Sequence, residues 1–233
     1  MEDNSLADLR RLILEACRYD NSTLLEEVIE EIAERAEKEG RTRRDYVAEV
    51  LNYMGEKSEE EKYRRSYRDK NHIREKDKRS YGLTYLHIAA EYGSYDVVET
   101  LLDQFDVEID GKDTSVYNGE GDTPLHKAVR FVNSKPPSQW EDLGYPLIYL
   151  LVDAGCNPME KNMGLCTPKD LVDPTNTALI EFLADAEKEY EKAEKAKDEK
   201  VEMERVEQKH KLALQDAIVE DKDESTGIPS DNE

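Results

Sequence analysis

Histidine and cysteine are the residues of this chain whose side chains could most readily do chemistry. The 233-residue sequence has four histidines and three cysteines, and none of them stand at the short spacings that hold a metal ion. The sequence also lacks a Gly-rich phosphate loop, a G-x-S-x-G turn and an H-E-x-x-H helix. Its 55 Asp and Glu residues make chance pairs of carboxylates inevitable, so such pairs predict no active site. We therefore expect no metal, no cofactor and no catalytic residues, and a protein that is not an enzyme.

The cysteines indicate a reducing environment. Cys17, Cys156 and Cys166 are odd in number and show no disulfide or zinc spacing, which is typical of reduced thiols in the cytosol or nucleus. The acidic N-terminus has no apolar run, and no window approaches the length of a membrane span. We expect a cytoplasmic or nuclear protein without a membrane segment.

Two of the histidines lie in copies of one pattern. Residues 82–89 and 121–128 both read Gly-x-Thr-x-Leu-His-x-Ala. This pattern resembles the start of an ankyrin repeat, whose most specific signature is T-P-L-H-x-A. A related run begins at residue 167 but lacks the leucine after Thr-Pro, and the copies are spaced more widely than the period of about 33 residues.

The resemblance implies an all-α fold, a short solenoid of three to four ankyrin repeats with an N-terminal helical insertion and a charged C-terminal helix. It also implies that each motif histidine packs at the start of an inner helix and bonds to the backbone of a neighbouring turn. The residues to which the resemblance assigns a structural role are Thr84, His87, Thr123, Pro124, His126, Thr167 and Pro168.

The chain divides into four regions by periodicity and composition. Helical spacing of apolar residues in the first region predicts two helices, which we interpret as a capping repeat. The second region predicts a helix that ends at Gly55, then a basic stretch; the third contains the repeats; the fourth predicts a charged helix and a disordered acidic tail. The boundaries are 1–38, 39–81, 82–184 and 185–233.

The net charge of −22 indicates which kinds of partner the chain can attract. Nucleic acid and anionic membranes would be repelled, whereas a basic protein would be attracted. Acidity also raises solubility by itself, so a role in binding and a role in solubility stay open.

The basic stretch opposes this charge locally. Residues 62–79 contain nine Lys or Arg against three acids, and Tyr63, Tyr67 and Tyr81 lie among or beside them. The segment 62–81 could contact RNA or act as a nuclear import signal. We favour a solvated helix that offsets the acidic chain, because the remaining acidic residues repel phosphate over the Debye length of about 8 Å.

The resemblance places partner binding on the concave face, at the hairpin tips and the exposed side of each inner helix. The mixture of aromatic and acidic residues there is typical of a protein-binding patch. Trp140, in a Pro-rich insertion, either staples that loop to the repeats or anchors a partner, and stapling is favoured. The candidate partner-binding residues are Tyr81, Leu83, Glu91, Tyr92, Glu120, Asp122, Arg130, Phe131, Trp140, Met163 and Cys166.

These observations predict a monomeric, non-enzymatic protein-binding scaffold. The acidic chain is similar to small fungal ankyrin-repeat proteins, one of which escorts a basic ribosomal protein, and this resemblance implies an escort chaperone for a basic partner. The alternatives are a general ankyrin adaptor or regulatory subunit for a non-basic partner, and RNA contact through residues 62–81.

Overall fold

A computed structural model describes residues 5–53, 83–104, 107–112 and 120–223. The disordered tail is predicted at residues 220–233, and residues 224–233 of it lie outside the described residues, as do Gly55, Tyr81 and the basic segment 62–81.

The described residues form an all-α structure without β-strands. The eight α-helices of this part of the chain are α1 (Leu6–Tyr19), α2 (Ser22–Lys38), α3 (Arg43–Leu51), α4 (Tyr85–Tyr92), α5 (Tyr95–Leu102), α6 (Pro124–Asn133), α7 (Tyr145–Asp153) and α8 (Thr177–Asp223). Short turns of 3₁₀-helix lie at Pro137–Gln139 and Lys169–Leu171, and a π-helical turn lies at Trp140–Gly144.

The helices stack as antiparallel pairs in two rows. The inner row runs from α1 to α4 to α6, and the outer row runs from α2 to α5 to α7. The pairs α1–α2, α4–α5 and α6–α7 each join the rows, and α3 packs on α2. Each helix is too short to bury its apolar face alone, so stacking of neighbours creates one continuous core. Its largest fully buried side chains include Leu9, Ile13, Leu25, Ile32, Leu86, Leu101, Leu125, Leu147, Ile148, Leu151 and Leu179.

Local sequence fixes where the inner helices begin. Ser5 and Asp8 form a reciprocal capping box at the start of α1, and Thr84 and His87 form the corresponding pair at the start of α4. Each pair satisfies backbone N–H groups that the first turn of a helix leaves without a partner. The all-α repeat fold expected from the sequence is confirmed.

If the pairs α1–α2, α4–α5 and α6–α7 are counted as the first three repeats, the fourth repeat, which begins at residue 167, departs from the expected pattern. Its motif at Thr167-Pro168 initiates only the 3₁₀ turn at Lys169–Leu171, where the other repeats have an inner α-helix. Val172 returns to an extended conformation, and Pro174 follows closely, which disfavours helix at the residue before it. The outer element of this unit is the start of α8.

The predicted boundary between regions at 184/185 lies inside a helix. α8 is one helix from Thr177 to Asp223 and runs through it, because the sequence there contains neither Gly nor Pro. Residues 220–223, expected to be disordered, belong to this helix.

Two compact units divide the chain, residues 1–187 and residues 188–233. The second unit continues α8 with exposed Glu–Lys pairs three or four residues apart, such as Lys195–Glu191 at 3.5 Å. None of the described helices is both long and apolar enough to cross a lipid bilayer.

Candidate partner-binding surface

The two motif histidines connect each repeat to the next. Nδ1 of His87 accepts hydrogen bonds from the backbone N–H of Thr84 at 3.2 Å and from its hydroxyl at 2.8 Å. With Nδ1 an acceptor, Nε2 carries the proton and donates to the backbone carbonyl of Asp122 at 3.1 Å. His87 is fully buried, so the ring serves structure and is closed to a ligand.

His126 repeats this geometry one repeat further on. Its Nδ1 accepts from the N–H and hydroxyl of Thr123 at 3.1 and 2.8 Å, and its Nε2 donates to the carbonyl of Cys166 at 3.0 Å. Burial lowers the pKa of His126, against the opposing effects of the Cys166 carbonyl and the Asp122 charge. The neutral ring thus holds the turn at residues 162–166, called the finger turn below, above the start of α6.

Asp122 is the centre of a buried polar cluster. Its Oδ2 accepts from Nε of Arg130 at 2.6 Å, and its Oδ1 accepts from Nδ2 of Asn162 at 2.8 Å. The Nζ of Lys127 lies 4.0 Å from Oδ2. Burial favours the protonated acid, but the hydrogen bonds from Arg130 and Asn162 and the neighbouring positive charges prevail and lower the pKa of Asp122.

Asn162 builds the finger turn around this cluster. Its side-chain oxygen accepts from the N–H groups of Gly164 and Cys166 at 2.9 and 3.1 Å. The N–H of Met163 donates to the carbonyl of Glu120 at 2.7 Å, which joins this turn to the residues just before α6. This arrangement projects Met163 and Leu165 into solvent, with 77% and 76% of each exposed.

Seven of the predicted binding residues remain at least partly accessible on the turns and inner helices, including the half-buried Cys166. Tyr92 is 37% exposed, and the ring of half-buried Phe131 packs between Gly93 and the ammonium of Lys135. Arg130 is partly exposed and also pairs with Glu120 at the surface. Met163 is exposed and Glu91 is half-buried.

Three predicted binding residues are corrected by their burial. Leu83 is 5% exposed and belongs to the core, and Asp122 is 0% exposed inside its polar cluster. Trp140 is 8% exposed, and its indole N–H donates to the carbonyl of Lys135 at 3.0 Å. The tryptophan therefore staples the inserted loop to the repeats, the interpretation that the sequence favoured.

The remaining candidates have mainly backbone or capping roles. Cys166 is half-buried, and its backbone carbonyl accepts from His126. Thr167 and Asp170 cap the 3₁₀ turn reciprocally at 2.9 and 3.4 Å, and Pro168 is buried. Tyr81 lies outside the described residues.

Some surface residues were not predicted from the sequence. Leu165 was missed because an isolated leucine in a loop predicts nothing; here it has a left-handed φ of 59° and is exposed. Tyr145, Tyr149 and Phe182 were missed because they meet only when α7 and α8 pack together. A signal existed in the Lys- and Arg-free stretches that surround them.

Reactive groups are scarce in the part of the chain that the structure describes. Burial raises the pKa of the thiols of Cys17 and Cys156, which keeps them protonated and unreactive. No group of three His, Cys, Asp or Glu side chains among the described residues is arranged to hold a metal ion.

Comparison with known proteins matches this architecture. The family described as "Ankyrin repeats (3 copies)" matches residues 66–162. An ankyrin repeat-containing protein of Saccharomyces cerevisiae is 28% identical over 183 residues, which cover 78% of this chain and 79% of the yeast protein. Ankyrin repeats are protein-interaction modules, so they imply protein partners and a scaffold role. The stacked helix pairs, and the histidine hydrogen bonds that link one pair to the next, are thus those of ankyrin repeats, the family whose model matches residues 66–162 of this chain.

Proposed function

We propose that this scaffold is an escort chaperone for a basic protein partner and acts in the cytoplasm, the nucleus or both as a monomer. The observation that carries the proposal is the strongly negative net charge of a chain that contains ankyrin repeats, which are protein-interaction modules. The chain has a net charge of −22. Such a charge attracts a cationic protein and shields its positive groups from wrong partners.

Helix α2 supports this proposal because several exposed glutamates lie close together on it. Glu26, Glu27, Glu30, Glu34 and Glu37 are exposed on it, and several stand three or four residues apart. Each like-charged pair at that spacing costs about 0.2–0.5 kcal/mol of helix stability. The ion pair between Arg43 and Glu30, at 2.7 Å, offsets only part of the repulsion. A cationic partner would relieve it.

An apolar finger tip favours a second candidate, a general adaptor or regulatory subunit for a non-basic partner. Met163 and Leu165 are the two most exposed large hydrophobic residues among those whose side chains the structure describes. Paired apolar side chains at a finger tip can anchor a partner without charge, and acidity would then serve solubility alone.

Salt separates the two candidates. The tagged full-length chain is used to capture partners from lysate at low and at high salt, with mass spectrometry identifying what is released. The escort proposal predicts one stoichiometric basic protein that salt elutes, because screening weakens exposed charge pairs. The purified basic partner should also stay soluble longer in the presence of the chain.

Matched variants identify which surface of the chain binds the captured partner. Replacing Glu26, Glu27 and Glu34 with Gln should weaken a charge-driven complex, whereas Met163→Ser with Leu165→Ser should leave it almost unchanged. A non-basic partner that resists high salt and is lost with the Ser variants would establish the adaptor and overturn the escort proposal.

A further inference from the structure

An aromatic patch lies on the outer helices of the third and fourth repeats. It consists of Tyr145 and Tyr149 on α7 and Phe182 on α8. The ring centroids of Tyr149 and Phe182 are 4.4 Å apart, and those of Tyr145 and Tyr149 are 6.1 Å apart. Tyr149 is 44% exposed, and the other two rings are half-buried. The patch therefore presents fixed ring surface to solvent.

Packing and hydrogen bonding hold the patch in place. The Tyr145 hydroxyl donates to Oδ1 of Asn176 at 2.6 Å, and this same oxygen accepts from the N–H of Leu179 in the first turn of α8. Asn176 thus joins the patch to the start of α8. Rings that are already ordered lose little conformational entropy when a partner binds.

Exposed acids surround the patch. Asp153 follows Tyr149 by one helical turn on α7, and Asp185 follows Phe182 by three residues on α8, so both acids share a helix face with a patch ring. The negative charge of Glu141 acts on the Tyr145 phenol. Asp153 makes no ion pair with any described residue. The side chains around the rings are thus rich in negative charge.

The stretches of sequence that carry the patch contain no basic residues. Residues 136–160 and residues 170–187 contain no Lys or Arg, although the chain has 33 of them. These two stretches build α7, the turn before it and the first part of α8. Aromatic rings beside carboxylates, without competing cations in the same stretches of sequence, form an environment that favours a cationic side chain.

We propose that this aromatic patch binds a Lys- or Arg-rich segment of the partner protein, with a cation over the Tyr149 ring and Asp153 beside it. The inference rests on the proposed function, because it names where the basic partner docks. It assigns docking to the outer row of helices, whereas the sequence placed binding on the concave face. A second copy of the chain would not fit, because two chains that each carry −22 repel.

A defined peptide tests the patch on the full chain. The probe is a labelled decapeptide of alternating Arg and Gly, with an alternating Gln and Gly peptide as its control, and binding is measured at low salt. Tyr149→Leu keeps apolar area but removes the ring, and Tyr149→Phe keeps the ring. The Leu variant should bind about three- to fivefold more weakly than wild type, and the Phe variant should bind like wild type.

Matched controls lie on the other surfaces of the repeats. Tyr92→Leu removes an exposed ring from the inner face and should leave peptide affinity unchanged. Asp153→Asn should weaken binding more than Glu26→Gln, although each variant removes one negative charge. Thermal unfolding of every variant checks that these exposed substitutions leave the fold intact.

Each contrary outcome has a distinct meaning. Weakening by Tyr92→Leu but not by Tyr149→Leu would move the basic segment to the inner face, overturning the patch while the escort proposal stands. If Asp153→Asn and Glu26→Gln weaken peptide binding equally, the peptide is attracted by the net charge of the chain and not by a specific site, which would overturn the patch. If the Arg peptide binds only after the cations of residues 62–79 are replaced by Gln, the aromatic patch binds the chain's own basic segment and not a partner. No binding of the Arg peptide to either form would count against the escort proposal itself.

Discussion

The ring of Phe131, in the third repeat, lies directly against Gly93, at the end of the first helix of the second repeat. A Cβ atom added to Gly93 would lie 1.9 Å from Cζ of Phe131. Gly93 also has a φ of +74°, which closes α4 in the left-handed region. Glycine is therefore required here for two reasons: it adopts the left-handed conformation that ends the helix, and its lack of a Cβ leaves room for the ring from the next repeat.

Replacing Gly93 with Ala should destabilise the protein by about 2–4 kcal/mol, because left-handed backbone strain adds to the overlap with Phe131. Urea unfolding measures the change. Gly40→Ala is the matched control: its φ is +68° and nothing lies within 4 Å of the added Cβ, so it should cost only about 1 kcal/mol. Equal losses at both sites would contradict a steric role for Phe131.

Stability should fall as pH drops through 6.5, in part because of His126. Burial lowers the pKa of His126 in the folded state, while the unfolded chain takes up its proton near pH 6.5. The unfolded state then binds more protons, so the free energy of unfolding decreases as pH falls. Comparing denaturant unfolding of wild type and His126→Asn at about pH 7.5 and 5.5 isolates this contribution. The variant should be less stable at both values but lose less on acidification, and an equal loss would refute the assignment.

Asp122→Asn should cost about 2–3 kcal/mol, because it removes a buried negative charge that Arg130 and Asn162 both contact. The lowered pKa of Asp122 means that its stabilising contribution is present above about pH 3.9 and is lost as pH falls through the lower, folded-state value. Thermal unfolding near neutral pH measures the substitution. Glu120→Gln removes the exposed partner of Arg130 and should change stability by less than about 1 kcal/mol. A larger effect at Glu120 would place the main ion pair at the surface.

Asp20 caps a helix in the neighbouring repeat. Its Oδ1 accepts from the N–H of Val97, in the first turn of α5, at 3.0 Å. The usual capping residue, Ser94, instead donates its hydroxyl to the carbonyl of Cys17 at 2.6 Å. Asp20→Ala should cost about 1–2 kcal/mol, because it loses this cap and places Ala at a left-handed φ of 51°.

Asp20→Asn is the matched variant for this cap. Its side-chain oxygen can still accept from Val97, and Asn tolerates the left-handed region, so most of the stability should remain. Hydrogen exchange at the Val97 amide reports on the bond directly. Unchanged exchange in Asp20→Ala would contradict the inter-repeat cap.

Local sequence was enough to predict the repeat fold and the chemistry at the helix starts. Thr84 and His87 are three residues apart, and so are Thr123 and His126, so a single helical turn brings each pair together whatever surrounds it. The signature of a repeat consists of such short-range relations, which is why the motif residues and the family could be recognised from the sequence. The assignment of partner-binding residues stays a prediction.

Tertiary structure decided which surface each side chain occupies. The sequence predicts that Asp122 is an exposed acid at a hairpin tip. It is buried instead, in contact with Asn162, which lies forty positions further along the chain. Likewise, Tyr149 and Phe182 form one patch only because α7 and the start of α8 lie side by side. Relations within one helical turn are fixed by the sequence of that turn, whereas burial and patches depend on which repeats stack, and stacking brings together residues that no short-range pattern connects.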